Sequence, residues 1–305
     1  MYRYRMKRRI IQLLATLFTN PYWQGFVQAT IYKGSFKRLC HPGMQCYSCP
    51  SSITACPLGA LQNSLANFRE TLMAGNFSFG FFMIGFFGTC GMLLGRLICG
   101  FLCPFGFFQD LLFAIPTPKI KLPKWTGYGK FLFLFVLVLF LPIFSSFYQV
   151  SFSDEHGDFQ LLPTISINKT GATYPWFCKL ICPAGTFEAG IPKVLSEPEI
   201  RESLSFWFRL KWTIMVIFLF LIVVAPRAFC RTGCPIGAIY GLFNRYSLFQ
   251  LTVNASACTK CGRCEEVCPF DLKVHEFSQH SDCIRCLQCV SACPSKLIKA
   301  GFIRR

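Results

Sequence analysis

Cys99-Gly100-Phe101-Leu102-Cys103-Pro104-Phe105-Gly106 directly follows an apolar run over 77–98, and Cys230-Arg231-Thr232-Gly233-Cys234-Pro235-Ile236-Gly237 closes a second run over 206–229. Each run is close to the ~20 mostly apolar residues that a bilayer crossing needs. Each ends in two cysteines four positions apart, then Pro and Gly. Proline stops the preceding helix and withholds an amide donor. Glycine lets the backbone come close to whatever the sulfurs hold. The pattern recurs as Cys178 and Cys182-Pro183-Ala184-Gly185, and again as Cys56-Pro57-Leu58-Gly59, where Cys49 stands seven residues upstream. Four copies of one pattern argue against incidental packing cysteines and against structural zinc ligands.

The copies alternate along the chain. Cys56 and Cys103 are 47 residues apart, Cys182 and Cys234 are 52 apart, and each interval holds one apolar run. The expected architecture is therefore a mainly α-helical membrane protein of two pseudo-symmetric halves, about 10–110 and about 130–240. They would be related by an axis along the membrane normal. One Cys-x-x-x-Cys supplies two thiolates, and a [4Fe–4S] cube takes four. Pairing the halves gives an inner set of Cys99, Cys103, Cys230 and Cys234, and an outer set of Cys49, Cys56, Cys178 and Cys182. Cys40 and Cys46 have three open roles: they could form a disulfide, ligate a further cluster, or replace Cys49 in the outer set. Cys46-Tyr47-Ser48-Cys49 also has the spacing of a redox dithiol. Cys90 reads as a packing cysteine inside a span.

Composition agrees with a membrane protein. Hydrophobic residues make up 53% of the 305 and charged residues only 15%, against about 25% charged in soluble domains. The 19 cysteines in a long apolar chain are unlike the disulfide scaffold of a small secreted domain. The net charge of +17 suits basic flanks of membrane helices. No basic face interleaved with polar residues appears, so no nucleic-acid partner is expected. Several clusters, each of net charge about −2 when oxidised, would offset part of the excess.

About four spans are expected. Phe131–Val150 carries no charge, and 77–98 has Gly85, Gly88, Gly91 and Gly95 along one face for close packing. In 206–229, Arg209 and Lys211 can snorkel at one end. Ile10–Tyr32 is interrupted by Asn20-Pro21 and reads as a kinked span. Lys119, Lys121, Lys124 and Lys130 against Asp110 mark the cytoplasmic side, while Asp154 and Glu155 mark the outside. Both termini then lie in the cytoplasm, with the chain crossing the plasma (inner) membrane several times. Lys33, Lys37 and Arg38 fall on the outer side, against the rule, unless they are buried. Met1–Arg9 holds five basic side chains and no small-residue cleavage site follows, so it reads as a retained start.

The last 55 residues are more explicit. Cys258, Cys261, Cys264 and Cys268-Pro269 follow C-x2-C-x2-C-x3-C-P, and Cys283, Cys286, Cys289 and Cys293-Pro294 repeat it. In this motif the fourth cysteine ligates the other cube. Cluster 1 would use Cys258, Cys261, Cys264 and Cys293; cluster 2 would use Cys283, Cys286, Cys289 and Cys268. The division is a membrane domain over 1–250 and a small α+β 2[4Fe–4S] ferredoxin domain over 251–305, with about four cubes in all.

These paired membrane motifs ahead of a twin ferredoxin motif resemble the NapH/MauN/NosR-like membrane polyferredoxins. The stretch Cys40–Gln62 is more similar to the YccM-type 4Fe-4S binding proteins. The resemblance implies about four membrane helices and electron exchange between the quinone pool and redox partners, NapH-type members acting as quinol dehydrogenases. Those members lack the extra outer cysteines present here, which favours a route with cofactors at both faces. The expected function is a membrane-bound relay between a cytosolic ferredoxin-like or flavoprotein partner and an extracytoplasmic redox protein, in contact with membrane lipid. Two alternatives stand beside it: a quinol/quinone oxidoreductase subunit, and an anchor whose clusters are structural. No acid/base pair, nucleophile triad or phosphate loop is visible, so no catalytic residue is assigned. No haem is expected, because His41, His156, His275 and His280 all fall outside the predicted spans.

Overall fold

The computed structural model describes residues 2–28, 30–75, 80–151, 164–167, 173–196 and 206–303. Among the described residues the fold is mostly helical, with two small antiparallel strand pairs.

Among the described residues two helices are long and apolar enough to cross a membrane, Lys124–Phe147 and Phe206–Val224. The first changes pitch along its length: it opens as a 3-10 turn, widens to a π-helical stretch over Leu134–Phe140 and returns to α over Leu141–Phe147. Pro142 accounts for the widening, since it lacks the amide that a regular ladder would use and its ring crowds the preceding turn. Val150 was expected inside this span, but the chain leaves the helix at Tyr148 and pairs Tyr148–Ser151 with Thr164–Ile167.

The other two expected spans come out shorter. Phe81–Leu94 has 14 residues and stops at Gly95, whose φ of +53° a side chain would strain. The start of the expected 77–98 run lies partly outside the described residues, as do Asp154, Glu155 and His156. The first helix is Tyr2–Thr19, ending where Asn20-Pro21 breaks the ladder, so Ile10–Tyr32 is not one continuous helix. It packs on Leu97–Phe101 and Pro104–Leu112.

Beyond the first helix, the chain folds back into the bundle. Gln45, Ser51, Ser52 and Thr54 in this loop are buried. Buried polar groups need partners, and here they satisfy one another: Gln45 Nε2 donates to Ser52 Oγ at 2.7 Å and to Asn20 Oδ1 at 2.9 Å, and Ser52 Oγ donates to the Thr54 carbonyl. Lys37 is buried too. Its ammonium donates to the Ser52 carbonyl at 2.7 Å and stands over the Tyr47 ring, whereas Lys33 and Arg38 stay exposed.

The C-terminal ferredoxin-type unit is held by Phe249–Val253 paired antiparallel with Ile298–Phe302. Leu251 and Ile298 point inward and pack with Val274 and Cys289. A larger core runs without a break from Met44, Cys56 and Cys182 through Cys99, Cys103 and Cys234 to Phe270, Ile284 and Cys286.

Candidate iron–sulfur sites

Each Cys-Pro-x-Gly motif starts a helix. The second cysteine is the N-cap, proline takes the first helical position where its missing amide costs nothing, and glycine is third. That places the glycine N–H against the cysteine sulfur: Gly106 to Cys103 at 3.3 Å, Gly185 to Cys182 at 3.3 Å and Gly237 to Cys234 at 3.4 Å. The helix N-terminus and its amide both favour a thiolate there.

Sixteen cysteines gather around four cavities. Cys258, Cys261, Cys264 and Cys293 line one. Cys268, Cys283, Cys286 and Cys289 line a second. Cys99, Cys103, Cys230 and Cys234 line a third, with Arg96 and Met44. Cys46, Cys56, Cys178 and Cys182 line the fourth, of about 510 Å³. Cys49 is not on that wall; its sulfur lies 3.3 Å from Ser51 Oγ and 4.0 Å from Asn20 Oδ1. Cys40 forms a backbone bridge with Ala55, and Cys90 packs half-buried at the edge of the core.

Among the described residues no three Cys, His, Asp or Glu side chains converge on a single ion. Four thiols lining one cavity match the number that a cube takes.

Charge points the same way. Arg96, Arg227, Lys130 and Arg8 are buried near the inner set, and among the described residues their ion pairs are with Asp282 and Asp110. Arg96 lines the inner cavity and its buried Nε has no partner. Such an excess of buried cations calls for an anion. Burial pushes the Cys182 and Cys268 thiols up to about 12 and Cys283 to about 11. A coordinating metal removes such a proton outright. The residues present fit a four-thiolate anionic group.

Two further features were missed at the sequence level. Gln109 Nε2 donates to Cys230 Sγ at 3.0 Å and Gln62 Nε2 donates to Cys178 Sγ at 3.2 Å. Both glutamines lie six residues after a motif cysteine, so the repeat itself could have exposed them. Glu188, also six residues on, accepts from the Cys46 amide at 2.7 Å, and burial raises its carboxyl to about 7.

The inner and outer sets were expected at opposite ends of the bundle. In the structure they share a wall. Met44 lines both cavities, and its amide donates to Cys103 Sγ at 3.3 Å. The cause is the folded-back loop, whose internal hydrogen bonds let polar backbone run deep into the bundle. The inner set also abuts the ferredoxin-type unit: a methyl group at Gly100 would lie 2.5 Å from the Ile284 carbonyl oxygen.

Comparison with known proteins agrees with this chemistry. Family models described as "4Fe-4S binding domain" match residues 76–123, 173–213 and 205–253, and a second model of that description matches 251–272. Uncharacterized protein MJ0750 of Methanocaldococcus jannaschii is 30% identical over 207 residues, 66% of this chain and 70% of its own. The methylamine utilization ferredoxin-type protein MauN of Paracoccus denitrificans is 40% identical over 72 residues, 23% of this chain and 25% of its own. The ferredoxin-type protein NapH of Haemophilus influenzae is 34% identical over 100 residues, 29% of this chain and 34% of its own. No solved structure matches. The chain belongs to the NapH/MauN-like family of ferredoxin-type, 4Fe-4S electron-transport proteins.

Proposed function

We propose that this chain is a membrane-bound relay carrying single electrons between a cytosolic redox partner and an extracytoplasmic acceptor through four [4Fe–4S] sites. Cys258, Cys261, Cys264 and Cys293 would hold one cube, and Cys268, Cys283, Cys286 and Cys289 the next. Cys99, Cys103, Cys230 and Cys234 would hold the inner membrane cube, with a fourth at the outer cavity. When bound, such cubes take up and release one electron at potentials set by charge, hydrogen bonds to sulfur and exposure.

The observation that carries this reading is the row of sites with shared walls. Gly100 and Ile284 separate the ferredoxin-type unit from the inner set, and Met44 separates the inner set from the outer. The chain's own groups tune the row. Gln109 and the glycine amides donate to sulfur, and Arg96 and Arg227 place positive charge beside the inner set. The row would have little use in an anchor with structural clusters.

The membrane domain would comprise 1–250 and the ferredoxin domain 251–305, with two repeat halves and four crossings, the short helix Phe81–Leu94 and the first helix completing the bundle. Irregular backbone at membrane depth is tolerated where protein buries it, and Met44, Gln45 and 49–52 of the loop are buried. By the positive-inside rule the basic 119–130 segment would put the ferredoxin domain and both termini in the cytoplasm.

A second reading, quinone oxidoreduction, is favoured by one feature. The outer cavity of about 510 Å³ falls within the range of small-ligand pockets, and beside the cysteines it is lined by small apolar residues such as Ala60, Ala184 and Leu58 together with Lys179, Lys193 and Lys211.

Proteoliposomes holding the full chain and a trapped one-electron acceptor decide between them. Reductant added outside should reduce the trapped acceptor without added quinone. A strict requirement for quinone would favour the second reading, and no transfer in either case would overturn the relay.

A further inference from the structure

The position six residues after each Cys-Pro cysteine has a recurring task. Gln62, six after Cys56, donates to Cys178 Sγ, and Gln109, six after Cys103, donates to Cys230 Sγ. Each glutamine thus bonds the leading cysteine of the motif across the cavity. Glu188 stands six after Cys182 and accepts from the amide of Cys46 at 2.7 Å. A helix turns once per ~3.6 residues, so Gln62 and Gln109 leave their helices at the same angle from the cysteine that starts each, while Glu188 keeps the sixth place within the π-helical stretch Thr186–Gly190. By this correspondence the leading cysteine of the first motif is Cys46, although ten residues separate it from Cys56. The fourth such position, Tyr240, reaches the Pro42 carbonyl instead, in the loop that carries Met44 and Cys46.

The sulfurs agree. A Cβ placed on Gly185 would lie 3.7 Å from Cys182 Sγ and 3.8 Å from Cys46 Sγ, so these two sulfurs flank one glycine. Cys49 instead has its sulfur against the Ser51 hydroxyl, at the end of the Asn20 network. Its distance from Cys56 is nearer the spacing of the other motifs, which is why the sequence favours it. The loop's internal hydrogen bonds turn it away from the cavity.

We propose that Cys46, with Cys56, Cys178 and Cys182, binds the outer [4Fe–4S] cluster, and that Cys49 is a hydrogen-bonded thiol that holds the loop. This assignment rests on the reading that the membrane cysteines hold cubes at all. Serine at Cys46 keeps the backbone amide that Glu188 accepts, so it tests the sulfur alone.

The experiment is iron and acid-labile sulfide per chain for full-length wild type, Cys46→Ser and Cys49→Ser, each purified without oxygen. Four cubes give about 16 irons. Cys46→Ser should fall to about 12 and Cys49→Ser should stay at about 16, on the same four-iron count. A fall in Cys49→Ser with Cys46→Ser at full content would overturn the assignment. If Cys46→Ser does not accumulate, Cys49→Ser decides alone: full iron supports the assignment and the loss of one cube overturns it. Wild type with about eight irons would instead remove the membrane clusters themselves.

Discussion

Arg96 and Arg227 bond crosswise. Arg96, three residues before Cys99, donates to the carbonyl of Cys230 at 3.0 Å, and Arg227, three residues before Cys230, donates to the carbonyl of Cys99. Each arginine also has its own acid, Asp282 for Arg96 and Asp110 for Arg227. The two motifs are thus clamped to each other by buried charge whose surplus faces the inner cysteines. A cavity that must hold an anionic group beside apolar helices gains from such fixed cations, because they need no reorganisation when charge arrives.

The Asp110 end of the clamp should be visible in stability. Burial alone would raise its carboxyl, but Arg227 first and then Arg8 hold it down to about 2. A depressed carboxyl stabilises the fold above its ordinary pKa of about 4, and that contribution disappears as pH falls through about 2. Asp110→Asn leaves two buried cations unpaired and should lower stability by roughly 3 kcal/mol at neutral pH. The difference from wild type should shrink in acid, as thermal melting from pH 7 to pH 3 checks.

Gln109→Leu tests the sulfur hydrogen bonds. Losing the donor to Cys230 Sγ at 3.0 Å removes a contact that strengthens as the cube gains negative charge. The inner centre should become harder to reduce, by about 60 mV if the bond favours the reduced form tenfold. Iron content should be unchanged. An EPR-monitored redox titration reads the shift, and an unshifted potential would remove Gln109 from the tuning set.

Gly100→Ala tests the wall between the ferredoxin-type unit and the inner set. The added methyl would meet the Ile284 carbonyl oxygen at 2.5 Å, with backbone on both sides. The two parts must shift apart, at about 1–3 kcal/mol. All clusters should remain, while reduction of the membrane centres from the ferredoxin side slows. Stopped-flow reduction by dithionite measures it; an unchanged rate with a changed melting temperature would make the contact merely structural.

Cys293→Ser tests the crossover of ligands in the ferredoxin-type unit. Cys293 shares a cavity with Cys258, Cys261 and Cys264, not with its near neighbours Cys286 and Cys289. The variant should lose the cube of the earlier triplet. Loss of the centre that a Cys286→Ser variant also loses would reverse the assignment.

Much of this site could be read in the sequence because cysteine spacing is a geometric constraint. The C-x2-C-x2-C-x3-C-P repeat and the pairing of Cys99 and Cys103 with Cys230 and Cys234 both appear as cavity linings. What spacing does not carry is the path of a loop. Cys46 and Cys49 differ by three positions, and only the hydrogen bonds of Gln45, Ser51 and Asn20 decide which sulfur faces the cavity. For the same reason the two membrane sets were expected far apart, since nothing in hydropathy shows a polar loop that satisfies itself inside a bundle. Helix lengths were overestimated where Gly95 and Asn20-Pro21 stop the ladder inside an apolar stretch.

The central claim, that thiols from the two halves of the chain share cubes inside the bundle, is tested most directly by pairing one variant from each half. Iron per chain is measured for wild type, Cys99→Ser, Cys230→Ser and the double variant, all purified without oxygen. Shared ligation predicts about 16 irons in wild type and the same loss of about four in each single variant and in the double, because all three lack the same cube. Independent losses that add in the double variant, or no loss at all, would contradict the account.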